Sequence, residues 1–187
     1  MKTETTVIAY DIHDVTEYIN WLYFFHSWGF QPRFATIAQI HGCDACRASW
    51  LASFPKEDIP KAAEAMQLHK EAQRMLNALD GEFKVYAMYR LMDAYADGDD
   101  LLLDGVRFPL LRQQTHVRED DPYLCLSDFV RPLSSGITDK VGAFATTVDA
   151  EMERLYAEDD YKRMLVQTLS DRLAEATAEK LHEDVRK

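Results

Sequence analysis

The sequence predicts an α+β fold: helices first, then a small antiparallel sheet, then helices again. Three observations carry this. The last stretch, Asp159 to Lys187, contains no Pro or Gly and repeats apolar groups at three- and four-residue steps. Between residues 83 and 103 the period changes to two and is punctuated by Asp-Gly turns. The 187 residues are 47% hydrophobic and 11% aromatic, enough for a substantial core.

Taken in order, residues 1–13 look like an N-terminal arm in which Val7-Ile8-Ala9-Tyr10 can add a short strand or pack on the surface. Asp14 with Glu17 three residues later resembles a capping box and predicts a helix from there to Trp28, stopped by Gly29. This helix is apolar or aromatic nearly all round (Tyr18, Ile19, Trp21, Leu22, Tyr23, Phe24, Phe25, Trp28), so it is expected to be buried on most sides or partly covered by a partner, with burial the plainer reading. Residues 31–57 read as irregular. Asp58-Ile59-Pro60 opens the next helix, which ends at Asp80-Gly81. Phe83, Val85 and Ala87 then alternate with Lys84, Tyr86 and Met88 as in a strand. Ala96 to Asp100 is a turn, Leu101-Leu102-Leu103 a strand and Asp104-Gly105 a second turn, together an antiparallel meander. Further strands are expected at Tyr123–Val130 and Val141–Thr147, with a loop at Pro132–Gly136 between them. A short helix follows near Asp149–Tyr156.

The closing helix has Asp159 and Asp160 at its start and Arg186 and Lys187 at its end, in line with the helix dipole. At 1.5 Å per residue it is about 40 Å long, enough to serve as a central strut. Its expected stripe is Tyr161, Met164, Leu165, Thr168, Leu169 and Arg172, continuing through Leu173, Ala176, Leu181 and Val185.

The net charge of −11 argues against non-specific binding to nucleic acid or anionic membranes. No apolar run approaches 18 residues, so no membrane span is expected, and the first residues lack a signal pattern. Three cysteines (Cys43, Cys46, Cys125) without such a signal indicate a reducing, cytoplasmic setting without a disulfide framework.

Several constellations could carry chemistry. Cys43-x-x-Cys46 admits three readings: inert thiols, half a metal site completed on paper by His41 and Cys125, or a redox pair. No metal is assigned to it. Glu179-x-x-His182 has metal-ligand spacing on one helix face, but a di-iron bundle needs a second copy, and a solvated face is the simpler account. Asp171, Glu175 and Glu179 stand at i, i+4 and i+8 and form an acidic ridge, partly offset by Arg172 and Lys180. The ridge is either a solvated face or an acidic wall for an ammonium, sulfonium or imidazole group. Phosphate-binding glycine loops, GxSxG and Rossmann fingerprints are absent from the sequence.

An ordered set of motifs goes further. Tyr18-Ile19-Asn20-Trp21-Leu22-Tyr23-Phe24-Phe25-His26-Ser27-Trp28 resembles the opening signature of the activation domain of cobalamin-dependent methionine synthase. Asp97-Gly98-Asp99-Asp100, Leu111-Arg112-Gln113-Gln114, the run Cys125 to Pro132 and Val141-Gly142-Ala143-Phe144-Ala145 resemble later family motifs, as does the closing run Leu169 to Lys187. The resemblance covers residues 14–187 as one domain and implies a curved antiparallel sheet with flanking helices. It also implies a function: binding S-adenosylmethionine and docking over a separate cobalamin domain. There cob(II)alamin is reactivated with an electron from a flavodoxin-type reductant and the methyl group of S-adenosylmethionine.

Carried over by position, Glu175 stands near the bound S-adenosylmethionine, and Asp171 holds the histidine released from cobalt. Asn20 occupies a position where the family has an aspartate contacting the ligand's amino group. The family continues into an Arg-x-x-x-Gly-Tyr segment, and with the chain ending at Lys187 the resemblance is to a short form. Residues 41–58 look like an insertion. The expected partner is a cobalamin-binding methionine synthase chain. Two alternatives stand beside this reading: a non-catalytic module that docks on a corrinoid protein without binding S-adenosylmethionine, and a homodimer that has left the ancestral role.

Overall fold

A computed structural model describes residues 4–115, 118 and 121–187. Five strands form an open antiparallel sheet in the order β1-β2-β3-β4, with β5 also pairing with β2. They are β1 (Thr6–Asp11), β2 (Lys84–Asp97), β3 (Asp100–Leu103), β4 (Val106–Phe108) and β5 (Asp139–Val148). The helices are α1 (Ile12–Thr16), α2 (Trp21–Ser27), α3 (Pro32–Ala35), α4 (Asp44–Ala52), α5 (Ile59–Leu79), α6 (Glu151–Arg154) and α7 (Asp160–Arg186). The class is therefore α+β, as the periodicities predict. The chain divides into two compact units, Met1–Val7 with Met88–Ala145 and Ile8–Ala87 with Thr146–Lys187.

The second unit holds the helices and is organised around α7. Asp159 caps it, its carboxylate accepting the Lys162 amide at 3.0 Å. The buried face is Leu165, Val166, Leu169, Ser170, Leu173, Ala176, Thr177 and Leu181. It packs against α1, α2, α5 and α6. The expected stripe was placed slightly off: Tyr161, Met164 and Val185 are exposed, while Val166, Ser170 and Thr177 are inside. Thr177 is tolerated there because its hydroxyl donates to the Leu173 carbonyl at 2.7 Å. In α5 the inward positions Ala62, Ala65 and Ala72 alternate with Leu68, Met75, Leu76 and Leu79. Gly81, at φ +85°, ends the connection in the left-handed conformation that glycine adopts freely.

Several expectations for residues 11–57 are corrected. The predicted helix over 14–28 is two helices broken around Asn20, which has an extended backbone (φ −79°, ψ 90°). The start lies earlier than Asp14: the Asp11 amide donates to Asp14 Oδ2 at 3.2 Å. The break accompanies burial of Ile12 and Val15 on α1, Ile19 in the connection, and Phe24 and Phe25 on α2. Leu22 and Tyr23 remain outside, at 44% and 56% exposure, so α2 is not buried on most sides. Residues 31–57 are not irregular but hold α3, a 3-10 turn and α4. The Trp50 indole donates to Thr36 Oγ1 at 2.9 Å, and the Phe34 and Phe54 rings stack, fixing this segment.

In the first unit, β2 and β3 pair antiparallel with Ala96 opposite Leu101, and β3 and β4 with Leu102 opposite Arg107, which is the expected meander. Ala94, Ala96, Leu101 and Leu103 form its core, covered by Met92, Leu110, Val130 and Val141. The strand expected at Tyr123–Val130 is instead a 3-10 turn at Leu126–Phe129. Asp128 Oδ2 accepts the Cys125 amide at 2.8 Å, and this local side-chain bond replaces a ladder.

Candidate functional site

The acidic ridge is real. Asp171, Glu175 and Glu179 are all exposed on the side of α7 away from its buried face. Glu175 has a resident cation: Arg172 Nη1 donates to its Oε2 at 2.8 Å. Arg172 is itself held, its side chain only 14% exposed and its guanidinium 5.8 Å from the centre of the Tyr23 ring. One arginine thus joins the outer face of α2 to the ridge on α7. Asp171 has no ion-pair or hydrogen-bond partner among the described residues.

Asn20 is exposed at the N-cap of α2, its carbonyl accepting the Phe24 amide at 3.3 Å. It lines a concavity of about 440 Å³ together with Tyr18, Trp21, Thr36 and Gln39. Neither Asp171 nor Glu175 lines that concavity. Of the three residues predicted from the sequence, two share one face of α7, and the third lies in a separate hollow at the start of α2, a helix that packs against α7.

The C-terminal turn of α7 is anchored by tyrosines that sequence reasoning missed. Tyr10 donates to Asp184 Oδ2 at 2.9 Å, and Lys180 pairs with the other oxygen at 2.7 Å. Tyr18 donates to Glu183, which pushes the phenol up to about 12. These partners are more than 160 positions apart in the chain, so no local signal pointed to them. Glu179 and His182 are both exposed, and among the described residues they belong to no group able to hold a metal.

Two further clusters stand out. In the sheet unit, Arg112 binds Asp99 at 2.7 Å, Asp128 at 2.7 Å and the Tyr123 carbonyl at 2.6 Å. Three of the motifs quoted above meet in this clamp. In the helical unit, Cys43 caps α4, its sulfur accepting the Cys46 amide at 3.3 Å. The donor atoms of His41, Cys43 and Cys46 all lie within 4.8 Å of one another. The Cys43 thiol is pulled down to about 7, first by its contact with Cys46 and next by His41. Cys125 belongs to the other unit: it is buried, its thiol donates to the Asp99 carbonyl at 3.4 Å, and the grouped donors are His41, Cys43 and Cys46 alone among the described residues.

Comparison with known proteins fits this geometry. The family model described as vitamin B12 dependent methionine synthase, activation domain, matches residues 11–187. Among solved structures, the crystal structure of the MetH reactivation domain bound to AdoHcy is similar, with a TM-score of 0.78 and 31% sequence identity. The match covers 100% of this chain and 56% of that chain, so this chain spans little more than half the length of that relative. Among the described residues no helix is long and apolar enough to cross a membrane. The long closing helix, the open meander sheet and the ordered motifs agree with a family match that runs from the end of β1 to Lys187: this chain belongs to the activation-domain family of vitamin B12-dependent methionine synthase.

Proposed function

We propose that this chain supports the reductive methylation of cob(II)alamin by S-adenosylmethionine, acting in the cytoplasm on a cobalamin-binding methionine synthase chain. One electron from a flavodoxin-type reductant and the S-adenosylmethionine methyl group together restore methylcobalamin and leave S-adenosylhomocysteine. Residues 14–187 act as one functional domain, with residues 1–13 as its arm. The observation that carries the reading is the exposed acidic face of α7, next to α2, in a chain 31% identical to a reactivation domain bound to AdoHcy.

The residues suit the chemistry. S-adenosylmethionine carries a sulfonium and an ammonium, and Glu175 offers them a carboxylate at the protein surface. Asn20 keeps an oxygen acceptor for the ammonium without a charge of its own. In this reading Asp171, exposed and one turn from Glu175, accepts an imidazole N–H from the histidine that leaves cobalt.

A second reading is favoured by one observation. Arg172 already neutralises Glu175, which suits a module that docks on a corrinoid protein without taking S-adenosylmethionine. Isothermal calorimetry with S-adenosylmethionine, alone and with the cobalamin-binding chain, separates the two. Heat of binding in either condition is expected. Silence in both sinks the first reading, and failure to capture the cobalamin chain sinks the second. Sedimentation velocity on the same sample reports whether the chain self-associates.

A further inference from the structure

We infer that His41, Cys43 and Cys46 form a binding site for one thiophilic divalent metal ion of the zinc class, with a fourth position open to an exchangeable ligand. The site stands apart from the acidic face of α7 and does not depend on the reading above.

The argument begins with spacing. Cys-x-x-Cys across the start of a helix turns both sulfurs toward the same end of that helix, and here Cys43 is the N-cap and Cys46 lies in the first turn of α4. The contact from the Cys46 amide to Cys43 Sγ fixes the first sulfur against the turn that carries the second. His41, two residues before the cap, brings a nitrogen to the same spot, and all three donor atoms lie within 4.8 Å of one another. Zn–S bonds near 2.3 Å and Zn–N bonds near 2.0–2.1 Å place tetrahedral ligands about 3.5–3.8 Å apart. The present separations exceed that by at most about 1 Å, within reach of side-chain rotation while the backbone of α4 stays still.

The donor set selects the metal class. Two thiolates and an imidazole are soft-to-borderline ligands, matched to zinc and poorly matched to magnesium or calcium, which take oxygen. The helix N-terminus adds amide dipoles that favour the two negative sulfurs. Both sulfurs are half-buried and the imidazole is exposed, so an ion can enter from solvent without opening the fold.

Three protein donors leave one tetrahedral position unfilled. A shallow concavity of about 540 Å³ adjoins the cluster, lined by Ile40, His41, Ala45, Cys46, Ser49 and Trp50. A water molecule or another small donor fits there.

The test uses cobalt(II) as a spectroscopic stand-in for zinc, added to the full chain after reduction and removal of the reductant. One equivalent is expected to give thiolate-to-cobalt charge-transfer absorption in the near ultraviolet and tetrahedral d–d bands in the visible, both bleached by one equivalent of zinc. Cys43→Ser and Cys46→Ser should each remove most of the charge-transfer band. His41→Ala lies outside α4 and leaves the helix intact; it should keep the band but weaken metal affinity by roughly tenfold or more. Absence of the band in reduced, folded chain overturns the site, as does a band that survives in the Cys43→Ser/Cys46→Ser double variant. Should the pair be found only as a disulfide whose reduction does not produce metal binding, a redox pair replaces this assignment.

Discussion

Arg172 donates a hydrogen bond to Glu175 at 2.8 Å, so the carboxylate we propose for the cationic ligand has a cation of its own. Glu175 remains 60% exposed, and a pair this wet is weak enough to be competed for. Glu175→Gln is therefore expected to weaken S-adenosylmethionine binding about tenfold, which calorimetry measures directly. Arg172→Gln, by freeing the carboxylate, should move affinity the other way, though with some loss of thermal stability because Arg172 also covers Tyr23. Equal affinities in Glu175→Gln and the parent chain would show that this carboxylate does not touch the ligand.

Asp171 tests whether the two roles proposed for the ridge are separable. It is exposed and, among the described residues, unpaired, so Asp171→Asn should leave stability within about 0.5 kcal/mol of the parent. It should also leave S-adenosylmethionine affinity within about twofold. With the cobalamin-binding chain and reductant present, the rate of methylcobalamin formation should fall, because Asn accepts an imidazole N–H without the charge that strengthens the bond. A rate equal to that of the parent chain removes Asp171 from the reactivation step.

Much of this site was legible in the residues and some was not, for reasons that differ by element. The closing helix declares itself through period and caps, and its i, i+4 carboxylates face outward because the inward positions are taken by Leu169, Leu173 and Ala176. The tie from Arg172 to Tyr23 was not legible, since it joins α2 to α7 across most of the chain. Helix α4 was missed because its cap is a cysteine rather than Ser, Thr, Asp or Asn, and because its two large apolar residues, Trp50 and Leu51, are adjacent rather than at helical spacing. The false strand at 123–130 shows the converse error: an apolar run looked extended until Asp128 captured the Cys125 amide. Breaking the aromatic helix at Asn20 needed the packing of Ile19 and Phe24, which periodicity does not encode.

The Arg112 clamp predicts a local effect on the sheet unit. Arg112 holds the Asp99 turn and the Asp128 3-10 turn together, and it keeps the Asp128 carboxyl down at about 2, its hydrogen bond outweighing that of the Cys125 amide. The folded value lies below the ordinary 3.8, so this contact contributes stability above pH 3.8 that is lost as pH falls toward about 2. Arg112→Ala should speed hydrogen exchange at Cys125 and Val130 amides at neutral pH, where the clamp is fully formed. It should leave exchange in α5 unchanged. Unaltered exchange at Cys125 would mean that the turn holds without its arginine.

His69 predicts a wider pH dependence. It is buried on α5, its ring 4.5 Å from that of Trp21, and its Nε2 has no partner among the described residues. Burial, and secondarily the charge of Arg47, pushes it down from 6.5 to about 4. Between those values the unfolded chain binds a proton that the folded chain refuses, so stability is full above pH 6.5 and declines as pH falls toward 4. At 1.36 kcal/mol per pH unit, and allowing for relaxation and water access, the loss by pH 4.5 is about 2 kcal/mol. The carboxylates of the chain add their own acid sensitivity, which a comparison of variants cancels. His69→Leu keeps the apolar contacts with Trp21 and Phe25 and removes the titration. Urea unfolding at pH 7 and pH 4.5 should show the parent losing about 2 kcal/mol more than His69→Leu between the two conditions. Identical losses in the two proteins would mean that His69 takes up its proton without leaving the core.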